Sequence, residues 1–281
     1  MNNFAALNIH ISLASETLFT FAGFNVTNAM VTGALSLVIF LAVFLYVTSM
    51  VKRGKYNRFV GLVQWMFEAM LAQIDGVIPD KRLARKITPL ALTLFFYVLI
   101  SYWMSVLPGL EAVTYNRVPV IRSIAADMNF TFAIAIIAMV IVQVYAIRQH
   151  GAIGNLRRYF RNPFKDIIGS IEGVLELIGE VSRYSALSLR LFGNCFAGEI
   201  LLVIITLLTS YLSVVALPLF MAFELFIGFI QAYVFFILTV IFTSLAVDVH
   251  GGTEAQPDYT SISHREHSPA DNVSTPVVAR E

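Results

Sequence analysis

Three ionisable residues, Arg190, Glu199 and Glu224, stand inside stretches that are otherwise almost wholly apolar. A charged side chain at the centre of a bilayer costs about 2.5–3.5 kcal/mol on insertion scales, so residues of this kind mark function by default. Arg190 and Glu199 are nine residues apart, which at about 100° per residue sets them on opposite faces of one helix. Glu224 and Gln231 are seven apart and share a face, while Asn194 lies one turn from Arg190 on its own side. An antiparallel hairpin turning near Tyr211 sets Glu199 level with Glu224 and Arg190 level with Gln231, in layers about 14 Å apart. Two carboxyls in one low-dielectric layer titrate as a coupled pair and suit proton relay. An arginine, which does not deprotonate, is instead a fixed positive barrier and an anion attractor. The structural alternative is a salt bridge from Arg190 that merely holds the bundle. Helical phase disfavours Glu199 as its partner, and depth disfavours Glu224.

A second group, Glu172, Glu176 and Glu180, recurs every four residues along one helical face. It is either a solvated face or a route for protons to one membrane surface. The single cysteine, Cys195, excludes an internal disulfide and reads as a small buried residue. His264 and His267 sit in a polar tail, too weak a signal for a metal site. The chain lacks HExxH, GxSxG and P-loop patterns, so no catalytic residue, metal or cofactor is expected.

The elements that hold these residues follow from composition. Hydrophobic residues make up 58% and charged residues 13%, against roughly 25% charged in a soluble domain. A soluble fold of this kind would expose too much apolar surface, so the chain belongs in a membrane. A net charge of +1 excludes a nucleic-acid partner. Residues 1–28 carry no Lys or Arg, so no cleavable signal peptide is expected there.

Ala29–Val51 is an uncharged run long enough to span, and it stops at Lys52, Arg53 and Lys55. Asn57–Ile78 places Phe59, Leu62, Val63, Met66 and Met70 at helical spacing beside charges, as an amphipathic surface helix does. Ile87–Leu107 and Met128–Ile147 are a pair of single spans. Ile167–Thr209 is proline-free and 43 residues long; as one helix it reaches about 64 Å, twice the membrane core. It must therefore tilt, run partly along the surface, or break. Leu212–Val247 is apolar apart from Glu224 and a few neutral polar residues such as Gln231. The expected organisation is an external segment 1–28, a membrane domain 29–248, and a disordered polar tail 249–281. Basic residues concentrate in the loops after the first span and after Ile147, which puts the N-terminus outside and the tail in the cytoplasm.

The run Ser188-Leu189-Arg190-Leu191-Phe192-Gly193-Asn194, followed by Ala197-Gly198-Glu199, resembles the signature of subunit a of bacterial F-type ATP synthases. Glu224 followed by Ile230-Gln231-Ala232-Tyr233-Val234-Phe235 is similar to that family's second signature. The resemblance covers roughly residues 8–248. It implies an all-α membrane protein with a transmembrane helix, a surface helix and a transmembrane pair, closed by two long, strongly tilted helices in an antiparallel hairpin. It also implies a stator that passes protons through two offset half-channels against a rotating c-ring. Arg190 would keep a passing ring carboxylate ionised and block a direct leak. Glu199 and Glu224 would line the outer half-channel, Gln231 and Asn194 would support the arginine layer, and Glu176 would sit in the inner half-channel. The implied partners are the c-ring, the peripheral stalk b subunits, the catalytic head and the lipid bilayer. The implied location is a bacterial plasma membrane, with the mitochondrial inner membrane as the alternative.

Some family members carry histidine where this chain has Glu199 or Glu224, so no histidine relay is expected here. A secondary transporter is the main rival, but it predicts internal repeats and interrupted spans in matching positions, which the sequence lacks.

Overall fold

The structure, a computed structural model, describes residues 15–21, 24–107, 114–115, 118–119, 122–151, 159, 167–209 and 213–248. The expected polar tail 249–281, the first half of the N-terminal segment, and Tyr211 lie outside the described residues. The chain up to Val247 forms one compact unit.

A short antiparallel hairpin, β1 (Thr17–Phe21) and β2 (Phe24–Thr27), leads into α1 (Asn28–Lys52). Thr27 has extended backbone, and its hydroxyl accepts from the Met30 N–H at 3.3 Å, the arrangement that starts a helix. Next comes α2 (Arg58–Val77). Its apolar residues divide between two faces: Val60, Met70 and Ile74 are buried, whereas Phe59, Leu62 and Trp65 are exposed. The surface helix therefore packs on the bundle along one stripe and presents a second apolar stripe outward.

The central helix is α3 (Lys81–Val106). It starts ahead of the apolar run because the Asp80 carboxylate accepts from the Arg82 N–H at 2.8 Å and caps the first turn. Ile87, Ala91, Phe95, Val98 and Tyr102 form a fully buried stripe at helical spacing. Around it, Phe44 of α1 meets Phe96 edge-on at 5.3 Å, and Tyr97 lies 6.0 Å from Phe130 of the next span. Each such pair adds about 0.5–1.5 kcal/mol beyond burial. Two short strands, β3 (Thr114–Tyr115) and β4 (Val118–Pro119), lie between α3 and α4 (Met128–His150), where Asp127 caps the helix through the Asn129 N–H at 2.9 Å.

The long segments are continuous helices, α5 (Ile167–Thr209) and α6 (Ser213–Asp248). Their ends bracket the expected turn. Pro218 falls in the second turn of α6, near the helix start where its missing N–H costs least. Asn194 bonds to Gln231, and Tyr184 meets Phe242 edge-on at 5.8 Å, so partner numbers fall along α6 as they rise along α5. This is an antiparallel pair. Among the described residues five helices, α1, α3, α4, α5 and α6, are long and apolar enough to cross a membrane; α2 is not among them. The architecture is that of an all-α membrane protein.

Candidate functional site

Arg190 is exposed, on a stripe of α5 with Ala186, Asn194, Ala197, Leu201 and Ile204 that no other part of the described chain covers. On α6, Val215, Leu219, Phe223, Phe226 and Ile230 are likewise exposed. Asn194, one turn beyond Arg190, donates through Nδ2 to Gln231 Oε1 at 3.0 Å. Gln231 itself is 2% exposed, and its Nε2 has no hydrogen-bond partner among the described residues. The amide expected level with Arg190 is thus engaged by Asn194, one turn further along α5.

The carboxyls lie further along. Glu224 is only 4% exposed and accepts from the Tyr102 hydroxyl of α3 at 2.6 Å. Room for its carboxyl exists because position 198 is glycine: a Cβ there would overlap the Glu224 carboxyl group. Gly228 makes room in the same way for the Tyr102 ring. Glu199 is half-buried, and its carboxylate lies within electrostatic reach of both Tyr102 and Cys195. Cys195 in turn sits 2.9 Å from Ser123 Oγ and 3.8 Å from Ser105 Oγ. Ser105 donates to the Tyr102 carbonyl at 2.5 Å. A polar cluster therefore joins Glu199 and Glu224 to Ser123, at the end of the bundle where α3 connects to α4.

A second polar cluster occupies the other end. The acidic row along α5 is split by burial: Glu172 is exposed, Glu176 half-buried, and Glu180 only 7% exposed. Glu180 Oε2 accepts from the Tyr159 hydroxyl at 2.7 Å and from Gln143 Nε2 of α4 at 2.6 Å. A narrow cleft beside it is lined by Glu180, Arg183, Tyr184, Val142 and residues near the C-terminal end of α6. The Arg183 guanidinium lies 5.1 Å from the Phe242 ring centre, within cation–π range. Along the α5 axis, Glu180 stands about 15 Å to one side of Arg190 and Glu199 about 14 Å to the other.

The model of the family described as ATP synthase A chain matches residues 29–244, a span that takes in Arg190, both polar clusters and the antiparallel helix pair. The chain belongs to the ATP synthase A chain family. It is 32% identical over 250 residues to the ATP synthase subunit a of Mycobacterium marinum, covering 86% of this chain and 96% of that one. It is 31% identical over 263 residues to the subunit a of Coxiella burnetii, covering 87% and 92%. As a member of the ATP synthase A chain family it is a multi-pass membrane protein of the ATP synthase complex, the proton-translocating subunit of the membrane sector.

Ionisable residues in apolar segments announce themselves, because only function justifies their insertion cost. The neutral members of the two polar clusters do not. Tyr102, Ser105, Ser123, Gln143 and Tyr159 carry no such signal, and only the packing of α3, α4 and the segments that follow them against the long pair brings them to Glu224, Cys195 and Glu180.

Proposed function

We propose that this chain is the stator half of a rotary proton motor, non-catalytic by itself, working against a ring of small subunits that each carry a buried carboxyl. The observation that carries this reading is the exposure of Arg190 on an uncovered apolar face, with a polar cluster on either side of it along α5. A fixed cation there holds a passing ring carboxylate ionised and blocks direct passage between the clusters. Protons enter through the outer half-channel lined by Glu199 and Glu224, with Tyr102, Ser105, Cys195 and Ser123 leading to it. They ride on the ring and leave by an inner half-channel approached past Glu176. Asn194 and Gln231 set the polar layer beside Arg190. The uncovered stripes of α5 and α6 receive the c-ring, the b subunits of the peripheral stalk hold the chain still, and the catalytic head is reached through them.

Basic residues in the connections after α1 and α4 support a cytoplasmic side there, with the N-terminus outside, in a bacterial inner membrane. One charge crossing 100 mV is worth about 2.3 kcal/mol, so many crossings must be summed for one phosphorylation, which a rotor does.

The test is ATP-driven acidification of inverted vesicles carrying Arg190→Ala, with assembly of the complex measured in parallel. An assembled complex that no longer pumps is the expected result. Normal pumping by that variant would overturn the mechanism and reopen the transporter reading.

A further inference from the structure

The mechanism above sets the cluster around Glu180 on the inner side of Arg190 but gives none of its side chains a step. A carboxyl nine-tenths buried in a membrane bundle is costly unless it is hydrogen-bonded, and this one is held by two donors from two different parts of the chain. Gln143 comes from α4, and Tyr159 from the segment between α4 and α5. Gln143 also donates to the Tyr159 oxygen at 3.0 Å, so the three side chains close a small triangle. The cleft beside Glu180 lies between α4, α5 and α6, and it is lined by Arg183 and Tyr184 as well. A bundle needing only cohesion at this junction would fill it with apolar side chains at no desolvation cost.

Placement adds the second argument. Glu224 lies on one side of the Arg190 level and Glu180 on the other, each buried, and each taking a tyrosine hydroxyl from a neighbouring element. Glu176, one turn from Glu180, is half-buried and Glu172 exposed, so burial increases along the acidic row toward Glu180.

Resting on the stator reading above, we propose that Glu180 is the proton-exchanging carboxyl of the inner half-channel, with Tyr159 and Gln143 as its positioning residues. In the direction of ATP hydrolysis, its carboxylate takes a proton from water in the cleft and passes it toward the ring carboxylate facing α5. In synthesis the same proton travels the other way and leaves to water. Among the described residues, the titratable groups around it are Tyr159 from the connecting segment and Glu176, Arg183 and Tyr184 from α5; α4 supplies the neutral Gln143, and the α6 residues lining the cleft, Phe242, Leu245 and Ala246, do not titrate.

The experiment uses the intact complex in inverted vesicles, where the medium bathes the inner half-channel. Initial rates of ATP-driven acidification are recorded against medium pH for Glu180→Gln, Glu180→Asp and Tyr159→Phe, with assembly checked and Arg190→Ala run beside them. Glutamine keeps the size and the acceptor oxygen, so a merely structural network survives the change. The expected result is a rate lowered at least tenfold in Glu180→Gln with a flattened dependence on medium pH, restored largely by aspartate, and an intermediate loss in Tyr159→Phe. Normal pumping by Glu180→Gln overturns the proposal. So does a slowed rate whose pH profile keeps the wild-type shape, since that marks a structural role. Pumping by Arg190→Ala instead sinks the stator reading, whatever Glu180 does.

Discussion

Tyr102 of α3 donates its hydroxyl to Glu224 of α6 at 2.6 Å, linking two helices whose residues are 122 apart in the chain. The bond fixes the carboxyl at one edge of the polar cluster that runs on to Ser123. Removing the donor leaves a buried acceptor unsatisfied, at about 1–3 kcal/mol. Tyr102→Phe is expected to assemble normally and to slow ATP-driven proton pumping roughly tenfold. Wild-type rates in that variant would show that the carboxyl needs no anchor.

Gly198 faces the same carboxyl from α5. A methyl group at position 198 overlaps the Glu224 carboxyl, which must move into a differently packed site. Gly198→Ala is expected to abolish most proton transport while leaving the α5 helix intact, because alanine is the better helix former. The combined variant Gly198→Ala with Glu224→Asp, which shortens the opposing side chain, should recover part of the loss. Vesicle acidification of the single and combined variants measures both effects.

The Asn194–Gln231 hydrogen bond spans the long pair next to the arginine level. A typical bond of this sort contributes about 0.5–1.5 kcal/mol net. A double-mutant cycle on pumping rate with Asn194→Ala and Gln231→Ala should therefore give a coupling of that size, since residues in contact are not additive. Additive losses would mean that the two side chains act separately on the ring.

Asp80 stands at the start of α3, far in sequence from any of these groups. Its carboxylate caps the helix through the Arg82 N–H. Asp80→Ala is expected to cost about 1 kcal/mol of stability and to lower the thermal unfolding midpoint of the detergent-solubilised complex, with pumping per assembled complex unchanged. A drop in specific activity would assign Asp80 a role beyond capping.

Much of this molecule is legible without coordinates. Long uncharged runs have one stable disposition, the transmembrane helix, because backbone groups in hydrocarbon must bond internally. The charges at Arg190, Glu199 and Glu224 stand out for the same reason, and helical phase places Asn194 and Gln231 near them before any packing is known. Periodicity over 57–78 shows an amphipathic helix but not which apolar residues turn inward. Phe59, Leu62 and Trp65 point outward while Val60, Met70 and Ile74 turn in, a division that depends on where α1 and α3 lie.

What the amino-acid sequence determined by itself is the class, the helices, the family and the charged residues, since these rest on local composition and on the cost of charge in lipid. Tertiary structure alone decided which neutral groups meet those charges. Tyr102, Ser105, Ser123, Gln143 and Tyr159 reach their partners across 16 to 122 residues of chain. It also separated Glu180 from Glu172 and Glu176, which share its spacing and its chemistry but not its burial. Hydrogen bonds between distant elements leave no periodicity behind, because a neutral donor fits an apolar helix at little cost until its partner is known.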